Sequence, residues 1–111
     1  MKLLMLALAV PLLLLPLRSD VTVDKSKITV YVEYTADAAN SDVTVAVTAL
    51  DNTPEEWASA TVFHVWYINS VAYHFNDEWP NMRAGHFRVQ TTLHRDGKPA
   101  IEAPSQDVEV K

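Results

Sequence analysis

The chain has 111 residues, a formal charge of −5 and no cysteine. That length holds one small domain. Without disulfides the domain must be held by its core alone, at a size where burial is only moderate. The charge balance argues against nucleic acid as a partner, because a phosphate backbone would be repelled.

The first segment, "MKLLMLALAVPLLLLPLRSD", has Lys2 followed by an apolar run from Leu3 to Leu17. The run falls short of the roughly 20 residues of a spanning helix, and Pro11 and Pro16 interrupt it. A short basic start ahead of such a run predicts a secretory signal peptide over residues 1–19, with the domain at 20–111. The expected location is therefore outside the cell, or the periplasm in a bacterium, with no stable membrane insertion after cleavage. Residues 20–111 keep seven Lys and Arg against all fourteen acids, so this part carries −7.

Along the rest of the chain the pattern has period two, which predicts strands. "VTV" at 21–23 reads as a short edge strand before a "DKSK" turn. In "ITVYVEY", Ile28, Val30, Val32 and Tyr34 share one face. Residues 35–42 are small and polar and read as a loop. "VTVAVTAL" then places Val43, Val45 and Val47 together. In "DNTPEEW", Thr53 can cap, Pro54 suits a first helical position and Glu56 completes a capping box, predicting one helical turn near 54–59.

"TVFHVWYINSVAYHF" predicts a hairpin turning at Asn69-Ser70, with Trp66 opposite Tyr73 and His64 opposite Phe75. The face carrying Trp66 is assigned to the core. The other face holds Phe63, Val65, Tyr67, Ala72 and His74, an unusually apolar set for a solvent face. The next hairpin alternates Phe87, Val89, Thr91 and Leu93 with polar residues. A three-residue loop over Arg95-Asp96-Gly97, with Gly97 left-handed, sets Ile101 opposite Thr91 and on the Val89–Leu93 face. Pro104 separates a last edge segment at 107–110. The sum is an all-β, antiparallel sandwich of six to eight strands.

These residues resemble the immunoglobulin-like and fibronectin type III-like sandwich. Trp66 in "HVWYI" stands where that family places the core tryptophan of its third strand. "RAGHFRV" is similar to the motif opening the penultimate strand, with Gly85 matching, Phe87 in place of the tyrosine and Val89 in place of the cysteine. Phe87 lacks the hydroxyl of the tyrosine corner, and the inter-sheet disulfide is missing. The likeness implies a fold and no activity.

No motif points to catalysis. There is no nucleophile elbow and no phosphate-binding loop, since Gly occurs only at 85 and 97. Adjacent pairs such as Asp77-Glu78 read as solvated charges. The four histidines show no metal-ligand spacing, so no cofactor or metal is expected. Aromatic side chains are the one lead. Phe63, Val65, Tyr67 and His74, with Trp57 and Trp79 beside them, are the candidate binding residues for a protein partner. Alternatives are a carbohydrate-binding platform on Tyr67, Trp57 and Trp79, or, less favoured, a small metal protein or hydrolase built on the histidines.

Overall fold

A computed structural model describes residues 17–34, 41–52, 54–56, 60–68 and 73–111. Eight strands run through them in chain order: β1 (Leu17–Asp24), β2 (Lys27–Tyr34), β3 (Ser41–Ala49), β4 (Thr61–Ile68), β5 (Tyr73–Trp79), β6 (Gly85–Arg95), β7 (Ile101–Glu102) and β8 (Gln106–Val110). A single 3₁₀ turn at Pro54–Glu56 is the helical turn expected there. One sheet has the order β1-β2-β5. The other has the order β4-β3-β6-β7, with β8 also paired to β6. Every pairing is antiparallel, and the two sheets pack into an all-β sandwich.

Period two is what builds the core. On β2, Ile28, Val30, Val32 and Tyr34 are buried and their neighbours are not. Val43, Val45 and Val47 of β3 and Phe87, Val89, Thr91 and Leu93 of β6 complete the facing layer. Each fully buried aliphatic side chain contributes about 1.5–3 kcal/mol, which is how a chain without disulfides is held.

At the hairpin after β6, Gly97 is left-handed (φ 70°), and Lys98 N–H donates to the Arg95 carbonyl at 3.2 Å. This is a turn that needs a positive φ at its third residue. Ile101 pairs with Leu93 rather than with Thr91. The register differs by two residues, so Ile101 keeps the apolar face that parity gave it. β7 and β8 form one edge interrupted at Pro104. The Gln90 side-chain amide fills that gap by donating to the Ala103 carbonyl at 2.8 Å.

β1 is an eight-residue strand rather than a short one, and it begins inside the segment assigned to the leader. Leu17 is buried opposite Tyr34, and the Ser19 and Thr91 hydroxyls lie 3.0 Å apart. Cleavage after Ser19 would take both from the sandwich. Residues 1–16 and the expected turn at Asn69-Ser70 lie outside the described residues.

The largest departure concerns β4 and β5. They do not pair with each other. β4 pairs with β3, setting Val43 opposite Trp66, and β5 pairs with β2, setting Val32 opposite Phe75. The chain changes sheets between them. Trp66 and Phe75 therefore meet across the seam between two sheet edges, with ring centroids 4.6 Å apart. Parity gives the inward face of β4 correctly, but an edge strand is covered on one flank only. Trp66 remains 40% exposed. Among the described residues the buried indole is Trp79, at 6%. Trp66 is thus not the core tryptophan of the third strand.

Candidate functional site

Among the described strands β4 is a free edge, and its outward row is bare. Phe63, Val65 and Tyr67 are 59%, 50% and 86% exposed. Their cross-strand neighbours on β3 are Ala46, Thr44 and Asp42, too small to cover them. The inward row, Val62, His64 and Trp66, faces β5 across the open seam. Between the two edges runs a groove of about 620 Å³, lined by Phe63 to Trp66 and by Asn76 to Glu78. Both faces of β4 therefore offer apolar side chains.

The structure separates the other candidate residues from this row. His74 is exposed on the outer face of the opposite sheet, paired with Glu33 and 5.9 Å from the Tyr31 ring. Trp79 points inward from β5 and offers no platform. Trp57 lies outside the described residues. The sugar platform of Tyr67, Trp57 and Trp79 accordingly loses Trp79, because β5 alternates and position 79 falls on the inward face with Asp77.

Asp77 is the most consequential residue that the pattern misses, since its place beside Glu78 makes it read as a solvated charge. It is 2% exposed. Trp79 Nε1–H donates to Oδ2 at 2.7 Å and Trp66 Nε1–H to Oδ1 at 3.0 Å. His64 Nδ1 lies 2.9 Å from Oδ1. His64 also stacks on the Trp79 ring at 3.6 Å with an interplanar angle of 10°. A buried carboxylate is tolerated only with such a set of donors. The cluster ties the two sheet edges together and fixes the rotamers of both indoles. One signal is present in the sequence: Asp77 shares inward parity with Phe75 and Trp79, and an apolar face interrupted by one acid needs donors nearby.

A second cleft, about 660 Å³, opens beside this cluster between Val47, Trp79, Met82 and Phe87, with His64 and Arg83 at its rim. No Ser, Thr or Cys is among its described lining residues. The remaining histidines do not converge. His86 pairs with Asp51 (Nδ1 to Oδ1, 3.1 Å) and with Glu109 (Nε2 to Oε2, 3.7 Å), and His94 lies opposite Asp42. Among the described residues no three His, Cys, Asp or Glu side chains form a metal-binding group, and no helix is long and apolar enough to cross a membrane. No protein-family model matches the chain, and no curated protein matches it in sequence.

Proposed function

We propose that this chain is an exported, immunoglobulin-like or fibronectin type III-like domain that binds a protein partner without catalysis. The strand order β1-β2-β5 against β4-β3-β6-β7 supports the family reading, as does the placing of Gly85, Phe87 and Val89 on β6. The observation that carries the functional reading is β4 itself. An eight-residue edge strand without a charged side chain other than a histidine exposes Val62, Phe63, Val65, Trp66 and Tyr67 together. Natural sheet edges are blunted by charge, proline or bulges, and contiguous exposed apolar surface marks an interaction site. A bound strand would take its affinity from main-chain hydrogen bonds and its specificity from alternate side chains.

The test is a benzophenone side chain introduced at position 67, with one at Thr22 on the outer edge of β1 as control. Position 67 should cross-link to a discrete protein and position 22 should not. Tyr67→Ala should remove binding and leave the melting temperature unchanged, because that ring contacts little of its own domain. Equal labelling from both positions, or a large loss of stability in Tyr67→Ala, overturns the reading.

A further inference from the structure

We infer that the partner of β4 is a second copy of this chain, paired β4 to β4 in antiparallel sense about a twofold axis, so that the two larger sheets join into one. This rests on the reading of β4 as a protein-binding strand and names what it binds.

The outer edges formed by the described strands are not alike. β1 carries Arg18, Asp20 and Asp24. β5 carries His74, Asn76 and Glu78 on its outward side. The β7–β8 edge is broken by Pro104 and carries Glu102, Asp107 and Glu109. Each has a defence that natural edges use against strand addition. "TVFHVWYI" has none, in a chain that is otherwise rich in acids.

The shape of the open edge selects the occupant. A strand laid beside β4 must be apolar on both faces. One face meets the Phe63, Val65 and Tyr67 row. The other meets the exposed Val62 and Trp66 side chains and closes the groove that Asn76, Asp77 and Glu78 of β5 line opposite them. Among the described strands, β4 alone carries exposed large apolar side chains on both faces. It is therefore its own complement, and antiparallel pairing of identical strands is closed by a twofold axis, which yields a dimer and not a fibre. The pairing sets aromatic and β-branched side chains opposite one another, which is the favourable unit of sheet stabilisation.

The area bounds the affinity. With about 150–250 Å² for a whole aromatic side chain, the exposed parts of these five residues amount to on the order of 500 Å² per chain. A pair then buries about 1,000 Å² in total, the lower limit for a specific interface. The dimer should accordingly dissociate on dilution through the micromolar range.

Sedimentation velocity of the purified protein over a concentration series tests this. The wild type should move from monomer to dimer with concentration. Val65→Lys and Tyr67→Lys should each remain monomeric with an unchanged far-ultraviolet circular dichroism spectrum. Tyr67 is so exposed that its replacement cannot unfold the domain, so the second variant stands even if the first misfolds. Thr22→Lys, on the β1 edge, should dimerise like the wild type. A wild type that stays monomeric, or a dimer that survives both β4 lysines, overturns the proposal. A monomeric wild type that still cross-links a different protein from position 67 removes the second copy as partner and leaves the protein-binding reading intact.

Discussion

Replacing Asp77 by asparagine keeps the shape of the side chain and removes half of what it does. The carboxylate accepts from two indole N–H groups and meets His64 Nδ1 through both oxygens. A carboxamide has one oxygen left to accept with, and its NH₂ can be satisfied by His64 Nδ1 in the other tautomer. One indole N–H then faces a donor in a buried setting. Hydrogen bonds to a charged group contribute about 1.5–3 kcal/mol each, and an orphaned buried donor costs about 1–3 kcal/mol. The expected loss is therefore about 3 kcal/mol, which for a domain of this size lowers the melting temperature by roughly 12–24 °C. Urea denaturation followed by tryptophan fluorescence measures it, and a double-mutant cycle with Trp66→Phe locates it. Trp66→Phe should cost about 1–2 kcal/mol in the wild type and much less in the Asp77→Asn background, because the bond it removes is already compromised there. An Asp77→Asn variant within about 0.5 kcal/mol of the wild type, with no coupling to Trp66, would refute the reasoning.

Two further outcomes follow from the Asp51 corner. Gly85 sits at φ 152°, and a Cβ there would lie 2.5 Å from Asp51 Oδ2, which accepts from the His86 backbone N–H at 2.8 Å. Gly85→Ala should cost about 1–3 kcal/mol in chemical denaturation, and a neutral result would show that the corner opens freely. His86 is held above its ordinary pKa of 6.5 by its hydrogen bond to Asp51 and then by the Asp51 charge, with Glu109 adding less. Asp51 is held below its ordinary 3.8 by the His86 backbone and side-chain bonds. The histidine's contribution is whole below its unfolded pKa and is lost as pH rises through the raised folded value. The aspartate's is whole above its own unfolded pKa and is lost as pH falls through the depressed folded value. The difference in melting temperature between the wild type and His86→Gln should thus be greatest between the two ordinary values, near about pH 5, and shrink as pH rises above 6.5 through the raised folded value, and a difference that is flat with pH counts against the pair. The effect is small, because both groups are exposed and screened.

The register after β6 shows how far pattern alone reaches. Loop length can be misjudged by two residues and Ile101 still lands on the apolar face, because a shift of two leaves parity unchanged. The same rule places Ile28, Val30 and Val32 inside, and Phe63, Val65 and Tyr67 outside. It also puts His74 on one face with Phe63 and Tyr67, since that inference requires β4 and β5 to be neighbours in one sheet, and parity carries no information about neighbours.

What the amino-acid order settled by itself is which side of each strand faces inward, because side chains alternate along any extended backbone whatever lies beside it. Which strand lies beside which is a long-range choice, made by the packing of two sheets at once. That choice sent β4 and β5 to opposite sheets of the sandwich. It brought His64, Trp66 and Trp79 around the carboxylate of Asp77, and it left β4 with one flank uncovered by any described strand.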